Sequence, residues 1–213
     1  MLNQEQCEAI VGPHKAALRA CVLEGLAFYA NEYPPHVRSQ HTLRTAASAR
    51  HDHIIASVRR TFDGVPGAYV ATRGNLVMLV VSGTVAGGSI STVAMRFHKL
   101  DDGEPSSNDT QQTFAFSNQL PMPTQEELRD IPFHPTYLTV GYELDALAMV
   151  KAVTWSCRNR GTVIWGEPLP DAGSAIEQLA DRRAVEQSER KGKVTGRAPS
   201  RQANLGADDD VDG

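Results

Sequence analysis

The segment Leu76–Val81, Leu-Val-Met-Leu-Val-Val, is apolar at every position, and it constrains the fold more than any other stretch of the chain. Successive side chains of a strand point to opposite faces, so a strand built from this run must be covered on both sides. The residues before it follow a different period. Leu18, Cys21, Val22, Gly25, Phe28 and Tyr29 recur at helical spacing, which predicts a helix over 13–31, ended by Pro34-Pro35 because proline cannot continue it. A second helix over 36–62 would bury Val37, Leu43, Ala47, Ile54, Ile55, Val58 and Phe62, and Asp63-Gly64 supplies its stop. One of these two helices is expected to cover one face of the central strand.

Beyond Pro66 the pattern is that of strands. Ala68–Thr72 and Leu76–Ser82 flank Arg73-Gly74-Asn75, which suits a tight hairpin. Ile90–Leu100 follows the glycine-rich loop 84–89, with Val93, Met95 and Phe97 on one face and Thr92, Ala94, Arg96 and His98 on the other. Residues 110–119 fit a short strand or a helix, and Thr124–Glu127 one capped helical turn. Tyr137–Leu144, Met149–Cys157 and Thr162–Trp165 complete the strand pattern, the last two joined as a hairpin across 158–161. The expected fold is α+β: one domain over 1–171, with two helices packed on a sheet of five or six mostly antiparallel strands spanning 67–167. Residues 172–213 read as weakly helical, through Ile176, Leu179 and Val185, then as a disordered charged tail ending Ala-Asp-Asp-Asp-Val-Asp-Gly.

Composition narrows the function classes. The chain has 213 residues and a net charge of −4, so nucleic-acid binding would have to come from a local patch. No apolar run reaches the roughly 18 residues of a spanning helix, and the N-terminus lacks a basic segment followed by an apolar one. A cytoplasmic protein that does not enter a membrane is expected. Cys7, Cys21 and Cys157 are an odd set without CxxC spacing, so they read as reduced structural thiols. No GxSxG elbow, GxxxxGK[ST] loop or GxGxxG turn occurs, and no cofactor is expected.

Two regions carry candidate chemistry. The predicted second helix holds Arg38, Arg44, Arg50, Arg59 and Arg60 with His36, His41, His51 and His53, against Asp52 as the one acid. Its arginines can bind phosphate or carboxylate; equally, the helix can be a solvated face balanced by Glu5, Glu8, Glu24 and Glu32. Its histidines are five or two residues apart, not at the four-residue helical spacing of a metal pair, so no metal site is expected. In the third strand Arg96 and His98 share a face, where arginine can hold a phosphate and histidine can move a proton. Tyr142 and Glu143 lie on a neighbouring strand. Lys99, Asn108, Thr110 and Gln112 are added as phosphate- or partner-binding candidates. Such a set would serve a metal-independent ribonuclease, which needs an acid, a base and a cation; the alternative is an exposed polar sheet face with cross-strand pairs.

The runs Met95-Arg96-Phe97-His98-Lys99-Leu100-Asp101, Ser107-Asn108-Asp109-Thr110-Gln111-Gln112 and Tyr137-Leu138-Thr139-Val140-Gly141-Tyr142-Glu143-Leu144-Asp145 resemble a group of bacterial and phage proteins encoded beside regulators with an XRE helix-turn-helix and an ImmA-type metallopeptidase domain. The resemblance spans about residues 65–170. It implies, by association, a component of a toxin-antitoxin or phage-conflict module that partners a cognate regulator or antitoxin-like protein. With histidine between Phe97 and Lys99, no catalytic role is carried over there. Three readings follow: a component acting through a protein complex, a ribonuclease-type toxin using the polar strand face, and a non-catalytic RNA- or DNA-binding protein using the basic helix. An exposed sheet edge would also permit a homodimer.

Overall fold

Asn3 opens the first helix by accepting from the Gln6 backbone N–H while Gln6 reaches back to Asn3, a reciprocal cap. A computed structural model describes residues 1–73, 76–101, 103–105, 111–120, 135–160 and 162–170, all within one compact unit. The helical part is α1 (Gln4–Val11), a 3-10 turn at Gly12–His14, α2 (Lys15–Glu32), α3 (Pro35–Arg38) and α4 (Leu43–Phe62). Two expected helices are therefore four. Thr42 caps α4 by accepting from the Thr45 N–H, so the helix predicted over 36–62 is broken before Leu43. The break moves the N-terminal part of its expected stripe out of the core: Leu43 is 93% exposed, and Ala47 also faces solvent.

The sheet comprises β1 (Ala68–Arg73), β2 (Leu76–Thr84), β3 (Ile90–Asp101), the two-residue β4 (Glu104–Pro105), β5 (Thr136–Leu144), β6 (Val150–Asn159) and β7 (Thr162–Pro168), with α5 (Gln111–Ser117) between β4 and β5. Its order is β1-β2-β3-β5-β6-β7, with β4 paired to β3. All pairings are antiparallel except β3 with β5, so two three-stranded meanders meet along one parallel seam. The expected α+β architecture is the one observed. The expectations for 124–127 and 172–213 lie outside the described residues.

Both faces of β2 are covered, as its apolar run demands. Leu79 and Val81 share a face with Gly83, against which Ile10 of α1 packs at 3.3 Å from where a Cβ would stand. On the other face Met78 and Val80 join Ala71, Ala94 and Tyr137 beneath Ala115 and Phe116 of α5. The helix α5 thus decides the ambiguity of 110–119, and it buries a strand face expected to be open and polar.

Candidate functional site

Period-two geometry places Arg96, His98 and Glu143 on the face of the sheet that α5 covers, and Tyr142 and Lys99 on the face toward the N-terminal helices. The four catalytic candidates are thus divided between two faces. Arg96 is 4% exposed. Its Nε donates to Thr139 Oγ1 at 3.3 Å, its Nη2 to Ser117 Oγ at 3.4 Å, and its guanidinium lies 4.5 Å from the Phe116 ring centre. Burial, and then the neighbouring Arg158 charge, lower its pKa to about 10. This is a guanidinium packed into the fold, its flat cation on an aromatic face.

Around it the polar groups are tied to one another. Arg158, 6% exposed, donates from Nη2 to the Gly103 carbonyl at 2.8 Å. Glu143 pairs with Lys151 at 3.1 Å, and His98 is half-buried. Gln119, in the left-handed region at φ 53, braces the same area: its amide oxygen accepts from the Tyr137 N–H, and its amide nitrogen donates to the carbonyls of Tyr137 and Arg158. On the opposite face Tyr142 is 3% exposed, and burial raises its pKa to about 12 despite the nearby Arg50 cation. Lys99 pairs with Asp101 on its own strand. Asn108 and Thr110 lie outside the described residues, and Gln112 falls in α5.

The basic helix is more varied than its sequence. Arg44 and Arg59 are exposed. Arg60 donates to Glu24 Oε1 at 2.7 Å, and Glu24 also accepts from Ser57; that hydroxyl first, then Arg60, hold its carboxyl below its ordinary range. Arg50 is half-buried, its guanidinium 4.9 Å from the Tyr29 ring centre. His51 is lowered by burial, against the nearby Asp52 charge and a hydrogen bond with the Phe97 backbone. Among the described residues no three His, Cys, Asp or Glu side chains gather as metal ligands, and no helix is long and apolar enough to cross a membrane. Cys7 and Cys157 are buried thiols pushed by desolvation to about 12 and about 11, which disfavours the reactive thiolate.

No protein-family model matches the chain, and no curated protein or solved structure does either.

One cluster joins His41 and His53, considered from sequence as metal ligands, to aromatic residues that carried no functional reading there. Where α2 ends and α4 turns back beside it, Phe28 meets His53 at 5.0 Å between ring centres, His53 meets Tyr33 at 6.1 Å, and Tyr33 meets His41 at 5.0 Å. Tyr29 closes the set with its hydroxyl 3.0 Å from His41 Nδ1. Phe28 is 46% exposed, and Tyr33, His41 and His53 are half-buried. Its sequence signal was the group Phe28-Tyr29, Tyr33 and Pro34-Pro35, a turn that folds the aromatic end of one helix against the histidines of the next.

Proposed function

We propose that the chain is the cytoplasmic, non-regulator component of a bacterial or phage toxin-antitoxin-type module and works through a complex with its cognate regulator. The observation that carries this reading is the burial of the candidate chemistry. Arg96 and Tyr142 are 4% and 3% exposed and lie on opposite faces of the sheet, so no single reacting atom touches both. The resemblance of residues 95–101, 107–112 and 137–145 to proteins encoded beside XRE and ImmA-type regulators supplies the partner. Exposed apolar side chains at element ends, Leu43 at 93%, Leu147 at 83% and Met149 at 64%, supply surface for it to cover.

Co-expression of the tagged chain with the regulator encoded beside it tests the reading. The two proteins are expected to co-purify, and the pair Leu43→Asp and Leu147→Asp to weaken the complex. Harmless expression in host cells together with no co-purified regulator overturns it. A ribonuclease reading retains one observation, that Arg96, His98 and Glu143 share a face. It requires altered RNA profiles on induction that disappear in an Arg96→Met, His98→Gln variant. The protein-complex reading expects that variant, where circular dichroism shows the fold retained, to behave as the parent chain does.

A further inference from the structure

We infer that the end of the α2–α4 hairpin where Phe28 and Tyr33 meet α4 binds single-stranded nucleic acid, with bases stacking on Phe28 and Tyr33 and phosphates held by Arg50 and Arg60. The inference is independent of the regulator complex.

Three features of the surface converge. The first is composition: Phe28, His53, Tyr33 and His41 form a strip whose ring centres step by 5.0, 6.1 and 5.0 Å. Core aromatics are interleaved with aliphatic side chains; these rings meet one another, and Phe28 is 46% exposed. Every base has a flat face that stacks on such a ring, and stacking is the sequence-tolerant part of single-strand binding.

Charge is the second feature. Residues 36–62 hold five arginines against one acid in a chain whose net charge is −4, so the positive potential that attracts a polyanion is concentrated on this hairpin. Arg50 lies three residues before His53 and Arg60 seven after it, which puts both on the ring-bearing side of α4. Arg50 is held over the Tyr29 ring, its guanidinium oriented in advance. Arg60 is tied to Glu24 by an ion pair whose side chains are 58% and 54% exposed. A pair that wet contributes little, and a phosphate can replace the carboxylate.

Third, the occupant's form follows from the surface. A duplex hides its base faces and shows edges and backbone, so it would use the arginines but not the rings. A single strand uses both.

The test is fluorescence anisotropy with the full chain and labelled oligonucleotides of about 16 nucleotides, the upper site size of a single-strand-binding fold. The probes are oligo-uridine, oligo-thymidine and a duplex of the same length, in about 50 and about 200 mM salt. Both single strands are expected to bind more tightly than the duplex, and RNA against DNA is read from the first two probes. Phe28→Ala, at an exposed position, should weaken binding by about 5- to 100-fold with the melting temperature unchanged, and Phe28→Tyr should restore it. The pair Arg50→Met and Arg60→Gln should reduce the salt slope by about 1.4, the share of two phosphate contacts on a single strand. No anisotropy change up to about 100 µM protein, the weak end of non-specific binding, overturns the inference. So do equal affinity for the duplex, or single-strand binding indifferent to Phe28→Ala. If Phe28→Ala abolishes co-purification of the regulator while no oligonucleotide binds, the surface is a protein contact and the inference falls.

Discussion

Lys15 opens α2 only 9% exposed and meets carboxylates from two other elements, Glu8 of α1 and Glu167 of β7. Its ammonium also lies 4.4 Å from the centre of the Trp155 ring, whose Nε1 donates to Glu167 at 2.9 Å. Burial alone would lower the lysine pKa; its bonds to Glu167 and Glu8 outweigh that and raise it. The same contact, with the indole N–H second, lowers Glu167. A carboxylate with a lowered folded pKa stabilises the protein above its unfolded pKa, and that share is lost as pH falls through the folded value. The raised lysine contributes below its unfolded pKa, and its share disappears as pH rises through the folded value. Urea midpoints should therefore form a plateau between about pH 7 and about pH 9, declining first below about 6.5, where His51 would have to take up a proton against its burial, and again below about 4 where carboxylates protonate. Glu167→Gln should lower the plateau by about 1 kcal/mol, the side chain being partly solvated, and flatten the acid decline. An unchanged acid decline in the variant would assign it to other carboxylates, with Glu24, also lowered, next to be replaced.

At the scale of elements, Gly25 sets the distance between α2 and α4. A Cβ there would stand 2.6 Å from the backbone N and Cα of Ile54 and 2.8 Å from its Cγ1, so the helices meet backbone to side-chain-free backbone. Alanine would gain about 1 kcal/mol in helix propensity, but the clash is with main chain and cannot be relieved by a rotamer. Gly25→Ala should therefore destabilise by about 1–3 kcal/mol in urea unfolding; a neutral or stabilised variant would mean that the helices separate freely. Gly25 was legible as part of a helical stripe, and α4 was legible from Ile54 to Phe62, where period and burial agree. The stripe failed at Leu43 and Ala47 because nothing in a period reports that a helix has outrun what it covers. The Asn3 and Gln6 cap of α1 was present to be read, but its eight residues hold only about two turns of pattern. Strand positions followed closely from period and turns, because neighbouring pairs joined by short turns are local. The parallel pairing of β3 with β5 and the cover supplied by α5 are not local. For the same reason, Arg96 and His98 could be placed on one face in advance, whereas the burial of Arg96 under Phe116 could not.

For the molecule as a whole, the decisive question is whether the helical hairpin and the sheet unfold together. The two meanders share a single parallel seam, and the residues that cross from helices to sheet are spread widely along it. Ile10 packs on Gly83 of β2, the Leu2 N–H donates to Thr136 Oγ1 of β5 at 2.7 Å, and Lys15 bonds Glu167 of β7. Each meander is thus tied to the same helical layer, and neither buries its apolar face without it. The probes are conveniently separated: the two tryptophans, Trp155 and Trp165, belong to β6 and β7, while the helices dominate the far-ultraviolet signal. Tryptophan fluorescence and circular dichroism at 222 nm should therefore trace one coincident urea transition, as a two-state unit requires. If ellipticity falls at lower urea than fluorescence, the hairpin melts from a surviving sheet and the three ties are too weak to couple them. In that case Glu167→Gln should widen the gap between the two curves, because it loosens the tie nearest the tryptophans.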